Sequence, residues 1–164
     1  MSDQISLLRH LAEAGLDFVI VGGYAGVVHG CSYVTQDIDI CFVFDSANLL
    51  TLQNTLADLH PVHRMPPGRK PLDLTAESAA HFTNLYLDTD LGRLDCLNAI
   101  EGLGDYAQVK DASEQIDVAG LRLRVLTIDA LIRTKQAMNR PRDREAIHQL
   151  EALKALRRGE PPGT

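Results

Sequence analysis

Two aspartates separated by one isoleucine, Asp37 and Asp39, open the stretch DIDICFVF, which is otherwise apolar. Aspartate is depleted in strands, and an unpaired carboxylate beside a core is costly, so a neutralising partner is implied. Residues two apart on a strand project from the same face, about 6.5 Å apart along it. Two carboxylates so placed can share divalent cations from one side and leave the opposite side to phosphates. Mg²⁺ characteristically binds through one or two carboxylates plus substrate phosphates and water. A two-metal phosphoryl-transfer site, with ions about 3.5–4 Å apart, needs a further carboxylate. Asp95 in GRLDCLN, another isolated acid in an apolar segment, is the candidate. Three such acids on one patch, without cations, should raise at least one pKa.

Upstream, the apolar run FVIV meets Gly22-Gly23 and then a short helical segment, YAGVVHG. A strand, two glycines and a helix N-terminus offer backbone N–H groups and a helix dipole to a triphosphate. Glycine suits the position because a side chain would hold the phosphate away from the backbone. From Gly23 to Asp37 is 37 − 23 = 14 residues, room for one helix and a return. A dinucleotide-binding unit is the rival reading, with Asp45 as its ribose acid. It fails because GxGxxG needs glycine at position 24, where Tyr24 stands.

Taken together, GGYAGVVHGCSYVTQDIDI and LGRLDCLN resemble the DNA-polymerase-β-like nucleotidyltransferase superfamily. Its pattern is a helix-opening glycine pair, two acids one residue apart, and a third acid on a later strand. The segment VLTIDALIRTKQAMNRPRDREAIHQLEAL resembles the C-terminal helices of bacterial abortive-infection-type, toxin-like members. The resemblance spans roughly residues 18–153 and leaves 60–80 unmatched. It implies that Asp37 and Asp39 bind two Mg²⁺ ions, with Mn²⁺ a substitute, while Asp95 holds the catalytic one and helps deprotonate the attacking hydroxyl. It also implies that Gly22 and Gly23 cradle the β/γ-phosphates and that Lys135 neutralises triphosphate charge. Lys135 and the Arg142-Asp143 step fall where that group carries a lysine and an Arg-Asp pair. A surface-snorkelling lysine and a first-turn acid complementing its helix dipole are the plain alternatives for Lys135 and Asp143. Tyr33 stands where many relatives carry arginine, four residues before the first acid.

The elements that must position these groups follow from periodicity. Asp3 is read as the cap of a first helix stopped by Gly15, and FVIV as a buried strand. In the strand from Asp37 to Phe44, Ile38, Ile40, Phe42 and Phe44 share one face. Asp37, Asp39, Cys41 and Val43 share the other. Asp45 or Ser46 caps a helix bearing Leu49, Leu50, Leu52, Leu56 and Leu59. Residues 60–72, rich in proline and basic groups, read as a mobile loop. Strand pairs are expected over 81–89 with 93–100, and across Ala119-Gly120. Thr127 caps a helix through Met138, and Pro141 opens a last one with Ile147, Leu150, Leu153 and Leu156 as its buried stripe. His29 reads as a cap or core group. This order argues for one α/β (α+β) domain: a mixed-sheet catalytic core over 1–126, C-terminal helices over 127–158 and a frayed tail over 159–164.

Composition narrows the classes. No apolar run approaches the roughly 20 residues of a membrane span, and MSDQISLLRHLAEAG does not read as a signal peptide. Cys31, Cys41 and Cys96 lack CxxC spacing, so buried thiols in a reducing cytoplasm are expected. Sparse aromatics and the absence of tryptophan disfavour a stacking platform for single strands. Of the net charge of −6, residues 121–164 contribute ten Lys/Arg against five Asp/Glu, or +5, and the remainder −11. A basic end on an acidic body directs any polyanionic partner to that end. The resulting expectation is a metal-dependent nucleotidyltransferase that moves an NMP from an NTP to an acceptor hydroxyl, releasing pyrophosphate. Its first-choice acceptor is a tRNA end, then a protein hydroxyl, then a small-molecule hydroxyl; the toxin-like helices admit an antitoxin partner without deciding whether one exists. A degenerate domain that binds nucleotide or a partner protein without turnover is the reading from another class.

Overall fold

The computed structural model describes residues 2–65 and 69–159, and the elements below belong to those residues. Helix α1 (Asp3–Glu13) begins at Ser2, whose side chain accepts from the Ile5 amide. Asp3 therefore sits in the first turn rather than at the cap, where its charge still suits the helix dipole. The helix buries Leu7, Leu8 and Leu11. Strand β1 (Val19–Val21) is buried throughout and runs directly into helix α2 (Gly22–His29), which ends at Gly30 with φ 113°. Strand β2 (Asp37–Cys41) leads to helix α3 (Ser46–Leu56), capped by Asp45 accepting from the Asn48 amide.

Within the 60–72 segment, expected to be a mobile loop, residues 66–68 lie outside the described residues and the rest departs from that expectation. Strand β3 (Val62–His63) pairs antiparallel with β4 (Asn84–Thr89), and Pro71 bridges back to Val62. Backbone pairing, which composition does not reveal, holds Val62, His63 and Pro71 against the sheet. A short helix, α4 (Ala76–Ala79), precedes β4, and β5 (Gly92–Leu97) closes the expected hairpin. The end of that expected strand splits off as β6 (Ala99–Ile100), paired with β7 (Gly104–Asp105). Helix α5 (Tyr106–Asp111) was not foreseen; Asp105 and Gln108 form its capping box. The hairpin β8 (Ser113–Val118) and β9 (Leu121–Leu126) matches the sequence reading, as does helix α6 (Ile128–Met138) capped by Thr127. Pro141 opens a 3₁₀ turn rather than a helix, and α7 (Arg144–Arg157) follows it. Leu150 is buried but Leu156 is 55% exposed, so the expected apolar stripe stops short of it. The tail over 160–164 lies outside the described residues.

Among the described residues the main sheet has seven strands in the order β3-β4-β5-β2-β1-β9-β8. The sheet is mixed, as expected: β2 runs parallel to β5 and antiparallel to β1, while β1 runs parallel to β9. Helix α1 packs on α3, and α3 on α4; α2 packs on α6 and α7. Ile38, Ile40, Leu94 and Cys96 are fully buried, which fixes the opposite faces of β2 and β5 as the side for their acids. The three cysteines are free and buried. Replacing Ile40 by alanine should cost about 2–5 kcal/mol of stability, read as a lowered urea midpoint with an unchanged slope.

Candidate active site

The parallel pairing of β2 and β5 sets Asp39 directly opposite Asp95. Tyr86 of β4 lies opposite Asp95 on its other side, and Val21 of β1 opposite Asp39. A row of side chains thus crosses four strands, with the two carboxylates at its centre. Burial, then the negative charges of Asp95 and Asp37, push the Asp39 carboxyl from 3.8 up to about 7; Arg64 offsets part of this. Burial also raises Asp95, and Arg64 pulls it back toward the ionised form. The raised carboxyl expected from the three acids is present at Asp39, and Asp95 is raised as well.

Asp37 lies two residues from Asp39 on the same face of β2, and its charge acts on both Asp39 and Asp95. It stands at the start of β2, opposite Arg93, whose Nη1 lies 3.9 Å from its Oδ1. Asp37 is absent from the lining of the cleft that holds the other candidates. That cleft, about 320 Å³, is bordered by Gly22, Gly23, Asp39, Asp95, Lys135 and Arg140 among others.

Gly22 is held at φ 66°, a conformation that disfavours side chains, and a Cβ built there would collide with the Asp39 carboxylate. The glycine therefore serves the acid as well as any anion. Helix α2 has no side-chain cap and no acidic residue in its first turn, so its leading N–H groups face the cleft unclaimed by a side chain. At its far end His29 donates from Nε2 to the Leu126 carbonyl at 2.7 Å and accepts from Arg157 at Nδ1, 3.1 Å. Burial lowers its pKa, and it acts as a tie between α2, β9 and α7.

Lys135 is not a surface lysine; it is 7% exposed. Its Nζ lies 3.6 Å from Asp143, which also receives Arg140 through two bonds of 2.6 and 3.0 Å. Burial alone would raise Asp143, but the Arg140 bonds and the Lys135 charge outweigh it and hold it below the usual carboxylate range. Asp143 is thus the buried anchor of two cations on the cleft wall, rather than a helix-dipole acid. Its partner is Arg140, three residues earlier, and not the neighbouring Arg142. Sequence reading missed Arg140, although an Arg-x-x-Asp step around Pro141 is a visible signal for an ion pair across one turn.

Arg64 was also missed. It leaves β3 with its amide bonded to the Tyr86 carbonyl at 2.8 Å and its Nη2 on Asp95 Oδ1 at 2.5 Å. Tyr33 packs against Gly26 of α2, with its hydroxyl buried and without a hydrogen-bond partner among the described residues.

Oxygen donors that lack positive charge suit a hard divalent ion such as Mg²⁺. Asp39 and Asp95 are such donors, and a cation between them would stabilise the ionised form of Asp39. As they stand, no group of three or more His, Cys, Asp or Glu among the described residues is arranged to hold a metal. Asp95 faces Arg64 instead.

No family model matches the chain, and no curated protein matches it. Solved structures do. The chain is similar to a lincosamide antibiotic adenylyltransferase, LnuA, with lincomycin bound: TM-score 0.63, 17% identity, covering 92% of this chain and 96% of that one. It is similar to ANT(2″)-Ia in complex with adenylyl-2″-tobramycin: TM-score 0.56, 18% identity, 96% and 98% covered. An antigenic nucleotidyltransferase-like protein from Paracoccidioides brasiliensis matches with TM-score 0.61 and 15% identity, over 94% and 75%. At these identities the likeness establishes the fold: a nucleotidyltransferase-type mixed sheet with helices packed on it.

Because the folded Asp39 carboxyl titrates near 7 and the unfolded one near 3.8, the native state binds more protons between these values. Stability should therefore fall as pH rises through that window. In chelator-treated protein, Asp39→Asn should melt several degrees above the wild type at pH 8 and match it at pH 4, by scanning calorimetry.

Proposed function

We propose that this chain is a nucleotidyltransferase that moves an NMP from an NTP to an acceptor hydroxyl and releases pyrophosphate. The observation that carries the reading is the single cleft in which the Asp39–Asp95 pair faces the α2 N-terminus and the Lys135–Arg140 wall. An acidic wall beside a basic wall suits a substrate that is polyanionic yet must meet a divalent cation.

In this reading the Gly22-Gly23 amides and the α2 dipole receive the β/γ-phosphates. Lys135 and Arg140, held by Asp143, offset the charge that gathers on the departing pyrophosphate. Asp95 accepts the proton of the attacking hydroxyl; the new bond joins that oxygen to the α-phosphorus as the bond to pyrophosphate breaks. Asp39 and Asp95, with Asp37 at the strand's start, would hold Mg²⁺, which supplies Lewis-acid stabilisation of the phosphoryl oxygens when bound.

A small-molecule hydroxyl is the acceptor this reading favours. The fold relatives include an enzyme with a lincosamide bound and one with an adenylylated tobramycin. Of the ten Lys/Arg in the basic C-terminal segment, which pointed to tRNA, four are engaged in ion pairs. Lys135 and Arg140 meet Asp143, Lys154 meets Asp129 at 2.6 Å, and Arg157 lies 3.8 Å from Glu114. An RNA or protein acceptor, a toxin role with its antitoxin, and a cytoplasmic setting remain proposals of the second rank. Binding without turnover is the competing reading from another class, favoured by the Arg64 contact on Asp95.

Incubation with each of four α-labelled NTPs and Mg²⁺, against aminoglycosides, lincosamides, total RNA and cell protein, tests the reading. Label is expected on a small molecule, with Asp39→Asn reducing transfer by about a hundredfold or more. Label on RNA or protein would move the acceptor class, and nucleotide binding without any label transfer would contradict the enzyme. Lys135→Ala should lower kcat more than it raises KM for the NTP, measured by pyrophosphate release.

A further inference from the structure

We propose that Arg64 is a built-in cation of this site, filling at Asp95 the place of a second divalent ion, so that the site takes one divalent ion per chain. This rests on the reading that Asp39 and Asp95 bind a cation at all. The sequence pattern, by contrast, leads to two.

Arg64 is tied down at four points. Its amide donates to the Tyr86 carbonyl, and its Nη1 donates to the Leu87 carbonyl at 3.3 Å. Its Nη2 donates to Asp95, and its guanidinium carbon lies 5.8 Å from the centre of the Tyr86 ring, within range of a cation–π contact. The Arg64 and Asp95 side chains are 22% and 14% exposed, so solvent screens the pair weakly. A guanidinium stays charged at any working pH and holds its donors in a fixed plane. An ion arriving at Asp95 Oδ1 must displace a partner already oriented by two carbonyls and an aromatic ring.

The remaining cations nearby do not substitute for it. Arg93 lies between Asp37 and Asp88, at 3.9 and 3.5 Å, and Arg69 lies 3.1 Å from Asp88. Both serve the outer end of the strands. Among the described residues, Arg64 is the cation in contact with Asp95. One divalent ion then finds the free oxygens of the Asp39–Asp95 pair, and the guanidinium supplies the fixed charge beside it.

The test is a count of Mn²⁺ held per chain, by equilibrium dialysis with atomic absorption. It is run on full-length protein with Mn²⁺ alone and with a mixture of four α,β-methylene NTPs, subtracting Mn²⁺ bound to free nucleotide. Wild type should hold one ion, Arg64→Gln two, and Arg64→Lys, which keeps the charge, one. Two ions in wild type, or one in a folded Arg64→Gln, would overturn the inference while leaving the nucleotidyltransferase reading intact. No Mn²⁺ in either protein under both conditions would overturn cation binding itself, and this inference with it. Should Arg64→Gln fail to fold by circular dichroism, the wild-type count still decides.

Discussion

Two carboxylates held opposite one another on adjacent parallel strands are the constraint around which this structure is arranged. Shifting either strand by one residue would send Ile38, Ile40, Leu94 and Cys96 to the wrong face, and the observed register sets Asp39 against Asp95. Apolar burial on one side of the sheet keeps the acids on the other, where the observed register sets them opposite one another. The strain appears in Asp39, whose carboxyl sits near neutrality instead of in the acidic range. Such a site trades stability for chemistry, because the charge it lacks must come from outside the pair.

The neighbours of the pair are shaped by it. Gly22 is without a side chain because the Asp39 carboxylate occupies that space. The same glycine ends β1 and opens α2, so one residue joins the acid to the anion-receptive helix end. On the facing wall, Asp143 gathers Lys135 and Arg140 and keeps two long cationic side chains in fixed positions. Positive and negative walls line one cleft: Asp143 holds Lys135 and Arg140 on one side, and Arg64 contacts Asp95 on the other.

How much of this was legible in the sequence depended on whether a signal was local. Alternation along DIDIC and GRLDCL located the acids and their faces, and the glycine pair located the helix start. Thr127 and Asp45 announced helix caps. The contributions of Arg64 and Arg140 were not legible in the same way, since each acts through a partner that only folding or a turn brings near. Arg64 reaches Asp95 across 31 residues, from a segment whose prolines argued for a loop. The pairing of β3 with β4 satisfies backbone groups that no composition reports. Asp37 shows the converse limit: strand periodicity places it on the acid face, yet the alternation does not reveal that Arg93 stands opposite it, 3.9 Å away.

The most direct measurement is the titration of the Asp39 carboxyl by carbon-detected NMR, in metal-free protein and again with saturating Mg²⁺. The account requires a midpoint near 7 without the ion and a downward shift of at least one unit with it. A midpoint near 4 in the metal-free protein, unchanged by Mg²⁺, would contradict the claim that register forces these charges together and leaves them short of a cation.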